Sequence, residues 1–204
     1  MIEVELKLKV ENFPKLESLD KVKEKRILDI YYDTEDYKLL MSGNFLRIRN
    51  NESIDFKLNV GDNSHLYCKE TNFEKEKFSQ YKQIEEIFNS IGVQYNSNYT
   101  TFEEFLNVNK LLKLAVVNKH RVVYKVDDLE ICYDKVEGLG KFIELEMDFD
   151  ENADIDFGNL KEVIFNKFKK VAQISDFSLV NIGYVELYLK QYNKKAYELG
   201  KFKD

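Results

Sequence analysis

The sequence predicts an α+β fold in which an antiparallel β-sheet is surrounded by helices. Short alternating runs rich in Val, Ile, Tyr and Phe recur along the chain, which is typical of strands. Neighbouring runs are joined by short turns such as Asp127-Asp128, which favours antiparallel pairing over a βαβ array. The 204 residues contain no internal repeat, so we expect a single domain spanning 1–204.

Clusters of Gly, Asn, Asp and Ser mark the strand boundaries, because the only proline is Pro14. The first run, MIEVELKLKV, alternates apolar with charged residues throughout, as a strand with two different faces does. The predicted strands, about eight in number, are Ile2–Val10, Arg26–Asp33, Phe45–Arg49, Ile54–Leu58, His65–Thr71, Val116–Val126, Leu129–Val136 and Lys141–Phe149.

Apolar residues at helical spacing predict the surrounding helices. These are Asn12–Leu19, Thr34–Met41, Glu74–Ile91, Thr101–Lys113, Phe157–Lys170 and Tyr184–Leu199. Asn12, Thr34 and Thr101 are the predicted N-caps, since their side chains can accept a hydrogen bond from a first-turn amide.

Composition argues for a cytoplasmic protein that binds neither a membrane nor a nucleic acid. A third of the residues are charged, and no apolar run approaches the roughly 20 residues of a membrane-spanning helix. The acidic residues Glu3 and Glu5 at the start of the chain are unlike a signal peptide. A net charge of -6 argues against nucleic acid, although it leaves room for a concentrated basic pocket.

Cys68 and Cys132 are far apart in sequence and are not part of a CxxC motif. This pattern predicts neither a disulfide framework nor a zinc site. We expect two buried free thiols.

Charged residues occupy one face of several predicted strands. Residues two apart on a strand lie about 7 Å from one another on the same face, so Glu3, Glu5 and Lys7 are neighbours. The same spacing pairs Arg47 with Arg49, Lys119 with Arg121, and Glu144 with Glu146. The opposite faces are mainly apolar, carrying Leu46 and Ile48, His120 and Val122, and Ile143, Leu145 and Met147.

Two arrangements fit this pattern. In a half-buried sheet the apolar faces meet a layer of helices and the charges face open water. In a closed barrel the apolar faces point outward under the helices and the charges line the bore. The alternation of side chains alone does not decide between them.

The identity of the charges points to a ligand. Like charges side by side are unfavourable unless an opposite charge lies between them. A divalent cation would relieve the carboxylates of Glu3, Glu5, Glu144 and Glu146, and a polyanion would relieve the paired arginines. Oxygen ligands without His or Cys favour Mg²⁺ or Mn²⁺, which bind carboxylates together with phosphate oxygens. A nucleotide or an inorganic polyphosphate satisfies both requirements.

These residues resemble the CYTH superfamily, also called triphosphate tunnel metalloenzymes. Glu3-Val4-Glu5-Leu6-Lys7 matches its ExExK signature. Further matching segments follow in the family's order over about the first three quarters of the chain. They are Tyr31-Tyr32-Asp33-Thr34, Leu46-Arg47-Ile48-Arg49, Phe56-Lys57, Lys119-His120-Arg121, the segment from Tyr133 to Gly140, and the segment from Phe142 to Glu146.

The resemblance implies a closed eight-stranded antiparallel β-barrel, a tunnel with a charged interior that is surrounded by helices. It implies a Mg²⁺ or Mn²⁺ site with the ligands Glu3, Glu5, Asp134, Glu144 and Glu146. It implies a triphosphate cradle made of Lys7, Arg47, Arg49, Lys57, Lys119 and Arg121. Lys7, Arg47, Arg49 and Asp134 are the expected catalytic residues, the partner is a triphosphate-bearing small molecule, and the cyclase relatives suggest a homodimer.

The chain departs from the family pattern in two places. The strand around Cys68 reads HLYCKETNF, in which only Lys69 and Glu70 are charged, and Lys69 either extends the cradle or faces solvent. Near the C-terminus, Gly183-Tyr184 stands where many relatives have Ser-Tyr. The lysines that follow, Lys190, Lys194 and Lys195, are expected to be solvated helix residues, one of which could close over the tunnel mouth.

Three functions follow from the resemblance. The first is a metal-dependent phosphohydrolase acting on inorganic tripolyphosphate, thiamine triphosphate or a nucleoside triphosphate. The second is a class IV adenylyl cyclase, which forms cyclic AMP and pyrophosphate from ATP. The third is a non-catalytic polyphosphate-binding module, which would not need every acid. Glu146 completes an acid-x-acid pair that favours the hydrolase, whereas EVELK, DIYYD and DKVEGLG are close to cyclase sequences.

Overall fold

The computed structural model describes residues 2–16, 19–59, 67–80, 82–149 and 157–204. The strands are Ile2–Val10 (β1), Lys21–Thr34 (β2), Phe45–Arg49 (β3), Ser53–Asn59 (β4), Tyr67–Glu74 (β5), Leu111–Val126 (β6), Leu129–Val136 (β7), Gly140–Phe149 (β8) and Phe177–Val180 (β9). The helices are Lys38–Ser42 (α1), Gln83–Ser90 (α2), Phe102–Val108 (α3), Phe157–Lys169 (α4), Tyr184–Tyr192 (α5) and Lys194–Leu199 (α6), with a 3₁₀ helix at Lys75–Gln80.

Strands β1 to β8 form a closed antiparallel barrel in the order β5-β4-β3-β2-β6-β7-β8-β1. The barrel closes between its two end strands, where Glu3 of β1 pairs with Cys68 of β5. β9 is a ninth strand that continues along the same edge of β1, with Lys7 opposite Val180. The predicted closed eight-stranded barrel with surrounding helices is therefore confirmed.

The apolar faces of the strands point outward and are covered by helices. On β1 the outward side chains are at most 4% exposed, and they are Val4, Leu6, Leu8 and Val10. They pack in one cluster with Ile164 and Phe168 of α4. Two further clusters lie under α5 with α6 and under α2 with α3. The half-buried sheet, which would place the charges on an open face, is wrong for this chain.

The predicted helix over Asn12–Leu19 is wrong in the described residues, 2–16 and 19 onward. This segment is irregular and makes an isolated bridge from Leu16 to Ala172. Pro14 would be in the first turn of such a helix, where proline is tolerated, so tertiary contacts decide against the helix. Phe13 stacks on Tyr133 at a ring distance of 4.6 Å, and the Tyr133 hydroxyl donates to the Pro14 carbonyl. These contacts hold the segment against β7 without helical hydrogen bonds.

The second predicted helix begins later than Thr34, which is the last residue of β2. The carboxylate of Asp33 accepts from the amides of Leu39 and Leu40 at 3.0 and 2.9 Å, and so satisfies first-turn amides of α1. Thr101 is an N-cap as predicted, because it forms a capping box with Glu104.

Several other helices and strands have bounds that differ from the predicted ones. The helix predicted over Thr101–Lys113 ends at Val108, and β6 begins at Leu111. The C-terminal helix is divided where the Asn193 side chain accepts from the amide of Ala196 and starts α6. The predicted strand His65–Thr71 has its first two residues outside the described ranges, and Tyr81, within the predicted helix Glu74–Ile91, also lies outside them. None of the described helices is long and apolar enough to cross a membrane.

Candidate functional site

The charged faces of the strands meet inside the barrel and line one cavity, which we call the tunnel. Its charged lining residues are Glu3, Glu5, Lys7, Lys25, Asp29, Arg47, Arg49, Lys57, Glu70, Lys119, Arg121, Glu130, Glu144, Glu146 and Glu186. They come from all eight barrel strands and from α5, because alternate residues of each strand face the same side. All of the sequence-predicted site residues except Asp134 are among them.

The basic residues on the β1 and β6 side of the tunnel are paired with acids. Lys7 contacts Glu5 and lies 3.0 Å from Glu144, with 1% of Lys7 exposed. Lys119 donates to Asp134 at 2.9 Å. Burial opposes the charge of Lys7, but Glu5 and Glu144 outweigh it and raise the pKa of Lys7 above its usual value. Lys7 is therefore held as a cation inside the protein.

Arg121 is the most heavily paired cation in the tunnel. Its guanidinium donates to both oxygens of Asp134 at 2.7 and 2.6 Å, to Glu144, and to Glu146 at 3.1 Å. The forked geometry of a guanidinium suits several carboxylate or phosphate oxygens at once.

The basic residues on β3 form a second group. Arg49 donates from two nitrogens to the two oxygens of Asp29 at 2.8 and 2.9 Å. The Arg47 Nε donates to Asp55 at 2.8 Å. Burial raises the pKa of Asp29, but Arg47 and Arg49 outweigh it and lower that pKa to about 2. These acids hold the arginines in place along the tunnel.

Lys57 of β4 completes the predicted cradle. Its Nζ lies 2.5 Å from Glu70 and 3.2 Å from Glu3. Each of the six predicted cradle cations thus has a carboxylate within 4 Å.

Three carboxylates are crowded together on β1 and β8. Glu5, Glu144 and Glu146 each place an oxygen within 4.8 Å of the others. Burial and then repulsion from Glu144 raise the pKa of Glu5. Burial raises the pKa of Glu146 to about 8, and repulsion from Glu144 and Glu3 adds to this effect. Attraction to Arg121 opposes it but is smaller. Lys119, Lys7 and Arg121 outweigh burial at Glu144 and hold its pKa well below its usual value, so the unfavourable crowding remains at Glu5 and Glu146.

Asp134 does not line the tunnel and is fully buried behind it. It accepts hydrogen bonds from Lys119 and Arg121, and the Tyr184 hydroxyl donates to it at 2.9 Å. In the described part of the chain, Asp134 belongs to none of the groups of carboxylates and thiols that lie close enough together to hold a metal ion. As placed here, Asp134 positions two basic side chains, and its predicted role as a metal ligand stays a prediction.

The beginning of α5 closes one side of the tunnel. The Tyr184 ring lies under two lysines, with Lys7 and Lys119 Nζ each 4.6 Å from its centroid, which is cation–π geometry. Glu186, two residues later in α5, is 1% exposed, and neither of its carboxylate oxygens has a hydrogen-bond partner. Burial raises the pKa of Glu186 to about 7.

The chain matches the CYTH domain over residues 1–177. It belongs to the CYTH family. This agrees with the resemblance seen in the sequence and covers all eight barrel strands.

One relative of this CYTH protein is 28% identical over 193 residues, which are 92% of this chain and 98% of the relative. That protein comes from Methanocaldococcus jannaschii, and its name reads "Putative adenylate cyclase".

Solved structures with the same fold include a protein from Pyrococcus horikoshii OT3, with a TM-score of 0.60 and 23% identity over 93% of this chain and 99% of that one. A Hippeastrum protein has a TM-score of 0.58 and 17% identity over 92% of this chain and 95% of its own. It is described as an adenylyl cyclase candidate with a dominant triphosphatase activity. At these identities the likeness concerns the fold.

Several residues of the CYTH tunnel were not predicted from the sequence. Asp29 and Glu70 lie on tunnel faces, and their positions could have been found from the alternation of β2 and β5. Tyr184 and Glu186 reach the tunnel from a helix, so strand alternation carries no signal for them. Lys69 alternates with Cys68 and Glu70 and is on the outer face of β5, so it does not extend the cradle. Lys190 is exposed and lies 3.1 Å from Asp204.

The tunnel residues fit a bound divalent cation. The Glu5, Glu144 and Glu146 group supplies oxygen donors of the kind that Mg²⁺ and Mn²⁺ prefer. Cys68 and Cys132 are buried free thiols, as predicted. Burial raises the pKa of Cys68 to about 12, which keeps it a neutral thiol at neutral pH.

Proposed function

We propose that this CYTH protein is a Mg²⁺- or Mn²⁺-dependent phosphohydrolase whose tunnel binds triphosphates. The observation that carries the proposal is the presence of a crowded carboxylate group and a set of buried cations in one cavity. Inorganic tripolyphosphate, thiamine triphosphate and nucleoside triphosphates all carry the anion that such a cavity suits.

In this proposal Glu5, Glu144 and Glu146 hold the metal, with Glu3 nearby on β1. A divalent ion supplies charge neutralisation at phosphate oxygens and a water of lowered pKa. Once the carboxylates are neutralised, Lys7 and Arg121 have donors available for phosphate oxygens, while Asp134 keeps Arg121 oriented. Arg47, Arg49, Lys57 and Lys119 bind the rest of the anion and stabilise the charge that develops on it.

A second candidate is adenylyl cyclase activity, with a ribose hydroxyl in place of water. The tunnel lining contains the aromatic residues Tyr31, Phe45 and Phe202 in addition to the charges, and an adenine ring could stack on such a surface. The name of the Methanocaldococcus jannaschii relative points the same way. A module that only binds polyphosphate would not need Glu5, Glu144 and Glu146 together, so we rank it below both enzymes.

The experiment that tests the proposal is a product analysis of the purified protein with Mg²⁺ or Mn²⁺. ATP, thiamine triphosphate and tripolyphosphate are offered separately, and nucleotides and phosphates are resolved by chromatography. Orthophosphate without cyclic AMP supports the hydrolase. Cyclic AMP with pyrophosphate assigns the cyclase, and binding without any product assigns the binding module.

A matched pair of variants ties the activity to the tunnel. Glu144→Gln removes a charge from the carboxylate group at nearly constant volume, whereas Glu103→Gln changes an exposed residue of α3. Loss of product formation in the first variant alone is expected. Equal activity in both would place the reaction elsewhere.

A further inference from the structure

Lys25 is a cation of the tunnel that lies outside the six-residue cradle. It is on β2, is half-buried, and lines the same cavity as Arg49 and Arg121. In the pairing of β2 with β6 it lies directly opposite Arg121. Opposed residues of an antiparallel pair have their Cβ atoms roughly 5 Å apart on one face of the sheet. The two cations are therefore neighbours inside the barrel.

The partners of Lys25 distinguish it from the cradle. Every cradle cation has a carboxylate within 4 Å, whereas Lys25 forms no ion pair with any acid in the described ranges. The nearest cation on β3, Arg49, is already bonded at two nitrogens to Asp29. Lys25 thus adds a positive charge that has no carboxylate partner in the part of the chain that the structure describes.

The electrostatic environment of Lys25 agrees with its position beside other cations. Burial, followed by repulsion from Arg121, Arg49 and Lys23, lowers the pKa of Lys25 below its usual value. Arg26 gives a useful contrast, because this next residue of β2 is on the opposite face of the strand, is exposed and does not line the tunnel. Three cations that face one cavity are stabilised when an anion lies between them.

We propose that Lys25 forms, with Arg49 and Arg121, a further anion subsite of the tunnel and donates a hydrogen bond to a phosphoryl oxygen of the bound polyphosphate. The inference rests on the proposed function, because it assumes that the tunnel takes a phosphate chain. It adds a seventh cation to the six predicted ones, and this cation needs no acid to be displaced before it can bind.

The test measures binding of tripolyphosphate by isothermal titration calorimetry in the presence of Mg²⁺, at low and at high salt. Lys25→Gln is compared with the wild type, with Lys25→Arg, which keeps the charge, and with Arg26→Gln as the matched control on the same strand. Thermal unfolding of each variant checks that the barrel is intact.

We expect about a tenfold loss of affinity in Lys25→Gln, little loss in Lys25→Arg, and none in Arg26→Gln. The difference should shrink at high salt, since screening weakens a partly exposed charge contact. Unchanged affinity in Lys25→Gln, with the wild type binding and hydrolysing tripolyphosphate, overturns the subsite and leaves the proposed function standing. Wild-type binding of tripolyphosphate, without hydrolysis of it, of thiamine triphosphate or of ATP, overturns the hydrolase, and the affinities of the variants still decide the subsite. A wild type that binds none of these three triphosphates overturns both.

Discussion

The two faces of β1 show how differently the inside and the outside of the barrel are built. Outward residues such as Leu8 are buried in apolar contact with α4, and their position depends on packing. Inward residues such as Lys7 are just as buried but are held by carboxylates. The same strand therefore contributes to a hydrophobic core on one side and to a charged cavity on the other.

The difference separates stability from function. Burial of apolar side chains stabilises the fold by roughly 25 cal/mol per Å². Burying an ion pair costs desolvation free energy, which the attraction between the charges only partly offsets. Buried ion pairs are therefore weak contributors to stability. The interior charges are better explained by a ligand than by folding. Substitutions on the two faces should consequently affect different measurements.

The largest expected effect is on activity, from an interior change. Glu5→Gln removes one charge from the Glu5, Glu144 and Glu146 group at nearly constant volume. Because a bound metal ion supplies several kcal/mol of charge stabilisation, we expect metal-dependent turnover to fall by about 100-fold or more. Steady-state kinetics with Mg²⁺ measure this, and thermal unfolding should show an intact fold. Full turnover in this variant would remove Glu5 from the ligand set.

The next effect is on stability, from an exterior change. Phe168 of α4 is fully buried in the outer cluster, so Phe168→Ala should lower the free energy of unfolding by about 3–5 kcal/mol. Val163→Ala on the same helix, at a side chain that is 44% exposed, is the control and should change it little. Urea denaturation measures both. A similar small change in the two variants would contradict the assignment of stability to the outer face.

A third prediction concerns pH and a buried interior acid. The pKa of Glu186 is raised to about 7 in the folded protein, above its value in the unfolded chain. Between the unfolded and the folded pKa, the folded state therefore holds a proton on Glu186 that the unfolded chain has lost. The contribution of Glu186 to the free energy of unfolding is fully present below the unfolded pKa and is lost as the pH rises through the folded pKa of about 7. Glu186→Gln should remove this dependence and stabilise the protein at pH 8 by up to about 3 kcal/mol. Denaturation at pH 5 and pH 8 tests it, and an equal effect at both would contradict it.

The smallest expected effect is on affinity. Arg49 is one-quarter exposed at its side chain and is bound to Asp29, so Arg49→Ala should weaken triphosphate binding by about tenfold at low salt and less at high salt. Arg26→Ala, at an exposed residue of the same region of the barrel that does not line the tunnel, is the control. Calorimetric titration gives the affinities. Equal values for Arg49→Ala and the wild type at every salt concentration would place Arg49 outside the anion site.

Most of the barrel could be predicted from the sequence because strand alternation is a local property. β1, β3 and β7 have the predicted bounds, since each has a clean alternation and ends at turn residues. The helix predicted after β1 is wrong because the packing of Phe13 on Tyr133 outweighs a helical spacing. β9 was missed because its four residues become a strand only by pairing with β1.

The site was predictable to the extent that it lies on strands. The like-charged pairs at Arg47 with Arg49 and at Glu144 with Glu146 identify the tunnel face without any structure. The partners that hold the cations could not be assigned, because register between distant strands decides which acid meets which base. Tyr184 and Glu186 depend on how a helix docks at the barrel end, which no short sequence pattern specifies.

The pairing of β1 also constrains the order in which the protein can fold. β1 is synthesised before every other strand described, yet Lys7 lies opposite Glu144 on β8 and Val180 on β9. Contacts between residues so far apart in sequence slow folding, because the entropy of closing the long loop opposes each contact. Until β8 emerges, β1 can pair natively, among the described residues, only at Glu3 and Val4 with β5, and its other edge has no native partner. The tunnel cannot be completed in stages from the N-terminus, since its wall closes only when the last barrel strand pairs with the first.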